Sequence, residues 1–223
     1  LVGALMYIAM STRPDIAHTA SILSRYVKSP NEKDWVAAKK CVRYLKGTRS
    51  IGLLFGAASI GIMKDIVLRD NFCDADWGGR TEESKESTSG YLIMLNGAAI
   101  SWASKKQTCI ALSSAEAEHV STTYCGQEII WLRRLLADLG FEQMTATVIQ
   151  CDNNSAIAIA SDDVYHARTK HINMKHHWIR KAVEDKELLV TWVSTKQQRA
   201  DILTKSIGIS DHERMTRTIL GRV

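Results

Sequence analysis

The chain has 223 residues, 45% of them apolar and 24% charged, with two prolines, an ordinary globular composition long enough to bury a sizeable core. No segment approaches the length of a membrane span, and the apolar start at residues 1–10 is short with no basic residue before it, so it makes a poor signal peptide. The formal net charge of +5 is unevenly placed, residues 1–56 holding nine Lys/Arg against three Asp/Glu and residues 57–223 twenty against twenty-one, so a polyanion partner is plausible at the N-terminal part.

In chain order, Val2, Leu5, Ile8 and Ala9 form a short apolar helix face, ended by Arg13-Pro14. Pro14 suits the first turn of a second helix, with Ile16, Ala20, Leu23 and Val27 on one stripe. Ser29-Pro30-Asn31-Glu32 reads as a capping box with Pro at N1, opening a third helix that Gly47 stops. On that helix Trp35, Ala38, Cys41, Val42 and Leu45 make a core face. Lys39, Arg43 and Lys46 share another face, a positive stripe of the kind that tracks phosphates. Ile51-Gly52-Leu53-Leu54-Phe55 is strand-like and Gly56-Ala57-Ala58-Ser59 is a small-residue turn. The domain boundary is placed here, with a helical segment at 1–56 and a larger domain at 57–223.

The larger part alternates strands and helices. Residues 65–73 suit a strand, and 90–95 and 98–104 are two strands around Asn96-Gly97, a strong hairpin signal. A long helix at 114–139 is stopped by Gly140. A buried strand at 145–151 precedes helices at 154–160 and 171–185, a strand at 188–193 and a final helix at 197–205. The order predicts an α/β layer structure. Cys41, Cys73, Cys109, Cys125 and Cys151 show no CxxC spacing, which argues against a zinc framework and predicts reduced, mostly buried thiols of an intracellular protein. The chain begins with Leu rather than Met, as a piece of a longer polypeptide would.

The acids that can carry chemistry lie at element ends. Asp74 and Asp76 end the first strand of the larger part and, two apart, share a face; position alone does not separate them. Asp152 directly follows the apolar run Val148-Ile149-Gln150-Cys151, a strand end beside a helix start, where ligand sites of such sheets gather. On the long helix Glu116 has a capping role available, three residues after Ser113. Glu118 instead lies in phase with Cys125, Ile129, Leu132 and Leu136, so it points at the sheet, where a lone charge is costly and a bound cation offsets the cost. Asp201 stands near the start of the last helix, where the helix dipole alone would favour an acid.

Several motifs resemble the ribonuclease H region of copia-type LTR retrotransposon polyproteins. They are Cys73-Asp74-Ala75-Asp76-Trp77-Gly78-Gly79, Ser87-Thr88-Ser89-Gly90-Tyr91, Ser101-Trp102-Ala103-Ser104-Lys105-Lys106-Gln107 and Ala111-Leu112-Ser113-Ser114-Ala115-Glu116-Ala117-Glu118. Cys151-Asp152-Asn153-Asn154-Ser155-Ala156, Arg168-Thr169-Lys170-His171-Ile172 and Ala200-Asp201-Ile202-Leu203-Thr204-Lys205 continue the series. Thr12-Arg13-Pro14-Asp15-Ile16 and Arg43-Tyr44-Leu45-Lys46-Gly47-Thr48 are similar to the end of the preceding reverse transcriptase, a thumb- or connection-like element.

The resemblance implies a ribonuclease H-like fold with a five-stranded mixed sheet flanked by helices. It implies a metal site of Asp74, Glu118, Asp152 and Asp201 that holds two Mg²⁺ ions, with Mn²⁺ able to substitute. It further implies hydrolysis of the RNA strand of RNA/DNA hybrids, the polymerase part of the same polyprotein as partner, and action in the cytoplasm, in virus-like particles, with the nucleus as the alternative. A catalytically weak hybrid-binding module is the alternative. Lys105, Lys106, Arg168 and Lys170 are phosphate-contact candidates beside Lys39, Arg43 and Lys46. The chain departs from the family pattern at His119, where Tyr is usual, at Lys85-Glu86 and at Ser206. His171, His176 and His177 lack the spacing of a helical metal pair, and Trp77 and Trp102 read as core residues.

Overall fold

The structure is a computed structural model and describes residues 1–56, 66–78, 86–161 and 170–221, the side chains of 170–176 excepted. Within these residues the helices are α1 (Val2–Ser11), α2 (Ala17–Arg25), α3 (Glu32–Gly47), α4 (Ser114–Asp138), α5 (Asn154–Ser161), α6 (Lys170–Glu184), α7 (Asp201–Thr204) and α8 (Ile209–Ile219). The strands are β1 (Leu68–Asp76), β2 (Thr88–Leu95), β3 (Ala98–Lys106), β4 (Thr147–Cys151) and β5 (Leu188–Trp192).

The strands form one sheet in the order β3-β2-β1-β4-β5. β1, β2 and β3 are an antiparallel meander, whereas β4 runs parallel to β1 and β5 parallel to β4. Parallel neighbours need long crossovers, which α4 and then α5–α6 supply. The fold is a five-stranded mixed sheet with flanking helices, the architecture expected from the resemblance. Asn96 and Gly97, at φ 49° and 87°, make the tight turn between β2 and β3, a conformation that suits the right-handed strand twist.

Alternating side chains give the sheet two apolar faces. On one, Cys73, Ile93, Ile149 and Val190 pack in a single cluster with Cys125, Ile129 and Leu136 of α4 and Ile179 of α6. On the other, Phe72, Leu92, Met94 and Ala99 share a cluster with Leu5, Ala20, Leu23, Leu203 and Ile219. Each fully buried apolar side chain of this kind contributes about 1.5–3 kcal/mol. α1 and α2 thus pack into the same core as α7 and α8. Polar contacts fix this docking: Trp102 Nε1 donates to the Ala9 carbonyl at 2.7 Å, and a His212 ring nitrogen lies 3.0 Å from the Asp15 carbonyl. Within the segment, Arg13 is ion-paired to buried Asp15 at 2.6 Å, and the Tyr44 hydroxyl donates to Asp15 at 2.6 Å.

Several local expectations are corrected. The cap of α3 is Asn31, in a box with Asp34, two residues after the Ser29 start, because Asn31 itself takes the extended conformation and accepts from the Asp34 N–H. On α3 only Ala38 and Cys41 of the expected core face are buried; Trp35 and Val42 are 50% and 40% exposed. Pro14 opens a short 3₁₀ turn, Pro14–Ile16, that runs into α2. Residues 51–55 join no sheet; Leu54 N instead donates to the Leu220 carbonyl and ties the segment to the end of α8. The last expected helix divides into a 3₁₀ turn, Thr195–Gln197, and the short α7, and α8 follows unanticipated. Trp77 is 52% exposed, its indole donating to the Ala111 carbonyl, so it is no core residue. The small-residue turn at 57–59 and Lys85 lie outside the described residues.

Candidate metal centre

The candidate acids converge where β1 and β4 end. Asp74 lies near the C-terminal end of β1 and is 1% exposed. Glu118, 5% exposed, comes from the first turns of α4, on the face that carries Cys125, Ile129, Leu132 and Leu136 into the core. Asp152 follows β4 directly and is half-buried. Ligand oxygens of these three lie within 4.8 Å of one another. Asp76 is outside this group. Glu116 takes the capping role: its N–H donates to Ser113 Oγ and its carboxylate accepts from Leu112 N.

Asp201, the first residue of α7, joins the three through a cation. Lys205 Nζ lies 2.9 Å from Asp201 Oδ1 and 3.5 Å from Asp74 Oδ1. The neighbouring Thr204 hydroxyl donates to Asp74 Oδ2. Ser121 of α4 donates to the Asp74 carbonyl at 2.8 Å and the Gly90 carbonyl at 3.0 Å, so helix and sheet are joined beside the acids. A close approach seats α7: a Cβ on Gly90 would lie 2.6 Å from Thr204 Cγ2 and 2.9 Å from Leu203 Cβ.

Like charges in a buried site are the governing electrostatic fact. Burial and then the Asp74 charge push the Glu118 carboxyl far above the usual carboxylate range, despite the Ala75 N–H it accepts. Burial also raises Asp74, opposed by Lys205 and Thr204. Asp201 is pushed up to about 7 by burial and by Asp74, with Lys205 acting the other way. Burial disfavours the Lys205 ammonium, yet Asp74 and Asp201 more than compensate and hold it charged. Carboxylate oxygens packed this closely, with no ion pair to Glu118 or Asp152 among the described residues, form a donor set that fits a hard divalent cation.

The other candidates are spread more widely. Lys105 is exposed near the end of β3, its ammonium 5.7 Å from the Tyr124 ring centroid, and Lys106 is ion-paired to Glu86 at 2.9 Å. The register puts Lys105 and Lys106 in the same rows as Ala75 and Asp76 through Ser89 and Thr88, at the acid-bearing end of the sheet. Lys39, Arg43 and Lys46 are exposed on α3, and Lys39 lies over the Trp35 ring. Arg168 falls outside the described residues; Lys170 opens α6, its side chain outside them too.

Sequence reasoning missed Lys205, Thr204, Ser121 and Arg25. Arg25 Nη2 donates to Thr88 Oγ1 at 3.1 Å, which brings α2 to the same end of the sheet. The available signal for Lys205 was its i,i+4 spacing from Asp201. His119, in place of the usual Tyr, is fully buried in α4. Four of the five cysteines are buried and all are free, as the spacing predicts. Among the described residues no helix is long and apolar enough to cross a membrane.

No protein-family model matches the chain. The retrovirus-related Pol polyprotein from transposon TNT 1-94 of Nicotiana tabacum is 45% identical over 206 residues, 92% of this chain. That from transposon RE2 of Arabidopsis thaliana is 37% identical over 98% of it. The chain spans only 15% and 14% of the length of these two relatives. Among solved structures, LC11-RNase H1 in complex with RNA/DNA hybrid matches with a TM-score of 0.43 at 13% identity, over 60% of this chain and 91% of that one.

Proposed function

The chain belongs to the retrovirus-related Pol polyproteins of copia-type transposons, and we propose that it is their ribonuclease H part, a metal-dependent endonuclease that hydrolyses the RNA strand of RNA/DNA hybrids. The observation that carries this reading is the meeting of Asp74, Glu118 and Asp152 within 4.8 Å, with Asp201 joined to Asp74 by Lys205.

Asp74, Glu118, Asp152 and Asp201 would hold two Mg²⁺ ions, for which Mn²⁺ can substitute. Bound there, such ions supply Lewis-acid stabilisation of the attacking and leaving oxygens at a phosphodiester. The protein's own contribution is preorganisation. Thr204 orients the Asp74 carboxylate from the α7 side, and Ser121 holds its backbone from the α4 side. Glu118 is held in a buried helix face, so its carboxylate is fixed rather than solvated.

Lys105 and Lys106, at the acid-bearing end of the sheet, are proposed contacts to the hybrid's phosphates, with Arg168 and Lys170 as further candidates. Lys39, Arg43 and Lys46 would extend that contact over α3. Residues 1–56 are proposed to be the end of the reverse transcriptase, the rest of the polymerase being the partner within the polyprotein. The site of action would be cytoplasmic, in virus-like particles.

The test is incubation of a labelled RNA/DNA hybrid with Mg²⁺ and the protein, wild type against Asp74→Asn and Asp152→Asn. Cleavage of the RNA strand by the wild type alone supports the reading. Cleavage retained in both variants sinks the site, and tight hybrid binding without cleavage by the wild type marks a non-catalytic module.

A further inference from the structure

Among the described residues, the ion pairs made to these four acids all come from Lys205. Its ammonium sits between Asp201 Oδ1 at 2.9 Å and Asp74 Oδ1 at 3.5 Å. Asp74 Oδ2 is taken by the Thr204 hydroxyl. The four acids therefore divide electrostatically. On one side Asp74, Glu118 and Asp152 crowd their oxygens, and among the described residues no ammonium or guanidinium is paired to Glu118 or Asp152. On the other, Asp74 and Asp201 are bridged by a tethered monovalent cation.

A divalent cation cannot join Asp74 to Asp201 while an ammonium stands between them, because the two charges repel and share ligand oxygens. Lysine is suited to leave. Its charge rides on a flexible four-carbon stem, and the side chain keeps 26% of its surface exposed, so a path to solvent is open. A strongly anionic backbone arriving at the site offers the ammonium another partner.

We infer that Lys205 is a built-in competitor for the second cation's place, so that the substrate-free protein takes one divalent ion at Asp74–Glu118–Asp152 and admits a second at Asp74–Asp201 only when Lys205 moves to a phosphate of the hybrid. This rests on the proposed metal site. Lys205 is then a positioning residue that sets the order in which the site fills. The ordering keeps the full metal site from forming without substrate.

The test is calorimetric titration of Mn²⁺ into the substrate-free protein, wild type against Lys205→Met, Lys205→Gln and Lys205→Arg, with circular dichroism to verify folding. The wild type and Lys205→Arg, which keeps the positive charge, should bind one ion tightly. Both neutral variants should bind a second at least about tenfold more tightly than the wild type does, a change of roughly 1.4 kcal/mol. Having two neutral variants guards against one that fails to fold. Identical stoichiometry and affinity in wild type and neutral variants overturn the role of Lys205 and leave the metal site standing. A second tight ion in Lys205→Arg also overturns it. Absence of Mn²⁺ binding in every protein is a different failure, that of the metal site itself.

Discussion

The Ser121 hydroxyl donates to the Asp74 carbonyl at 2.8 Å, and this bond ties the helix bearing Glu118 to the strand bearing Asp74. The same hydroxyl reaches the Gly90 carbonyl at 3.0 Å, so one buried side chain joins α4 to both β1 and β2. Ser121→Ala would remove the donor and leave that contact to two carbonyls empty. A buried polar group that loses its partner costs about 1–3 kcal/mol. Urea unfolding should show a loss in that range, and hybrid cleavage should fall further than stability alone explains, because the spacing of Glu118 and Asp74 loosens. An unchanged unfolding midpoint would show the bond to be incidental.

Gly90 makes the corresponding prediction from the other face. A methyl group there meets Thr204 Cγ2 at 2.6 Å and Leu203 Cβ at 2.9 Å, distances that require α7 to back away. Overpacking of this kind costs about 1–3 kcal/mol. Gly90→Ala should therefore displace Thr204, Lys205 and Asp201 together and reduce cleavage at least about tenfold, while the protein stays folded by circular dichroism. Full activity in a folded Gly90→Ala protein would mean that the seat of α7 does not matter to the site.

The shifted carboxyls predict an inverted pH dependence for the metal-free protein. Glu118 and Asp201 have folded pKa values raised by burial and by neighbouring acids, so ionising them disfavours the fold. Their stabilising contribution is present below the ordinary carboxylate range. It is lost as pH rises, for Asp201 up to about 7 and for Glu118 into the alkaline range. In EDTA, stability should thus decline from pH 5 to pH 8, and Mg²⁺ or Mn²⁺ should restore more at pH 8 than at pH 5. Glu118→Gln should raise the melting temperature in EDTA at pH 8, by about 2–4 °C for each kcal/mol gained in a chain of this size. A lower melting temperature for Glu118→Gln would show that the ionised Glu118 is not a burden.

The N-terminal helices supply a fourth prediction. Leu23 is 4% exposed and lies in the cluster that includes Phe72, Leu92 and Leu203. Leu23→Ala should cost about 2–5 kcal/mol. Because the cluster is shared, tryptophan fluorescence and far-ultraviolet circular dichroism should report a single, coincident unfolding transition. Two separate transitions would mean that residues 1–56 fold apart from the sheet.

Much of this arrangement was legible in the residues, for identifiable reasons. Helix phase pointed Glu118 into the core because a long regular helix preserves its phase from Ser114 to Asp138. Asn96-Gly97 marked the hairpin because its turn needs positive φ at both positions. Asp74 could not be told from Asp76 by alternation, since both side chains leave the same face. Their difference lies in what packs there, Thr204 and Lys205 from α7, some 130 residues along the chain.

The failures have a common cause in tertiary contact. Residues 51–55 look like a strand, yet Leu54 pairs with Leu220 at the end of α8 instead of with the sheet. α8 itself carries few apolar residues, and its buried Met215 and Ile219 form too short a stripe to stand out. Trp35 and Val42 keep the helical spacing of a core face on α3, but no element covers them among the described residues. Lys205 was quoted within a motif but not read as part of the site, because its partner Asp74 is brought to it only by the seating of α7.

The most direct measurement pairs cleavage with binding across the four acids. Asp74→Asn, Glu118→Gln, Asp152→Asn and Asp201→Asn are each assayed for RNA-strand cleavage of a labelled hybrid in Mg²⁺, and for hybrid affinity at the same salt concentration. The proposed site predicts that every substitution lowers cleavage at least about a hundredfold while the hybrid is still bound, the loss of roughly 2.7 kcal/mol or more of transition-state stabilisation. Cleavage at the wild-type rate in the Asp74, Glu118 and Asp152 variants would contradict it.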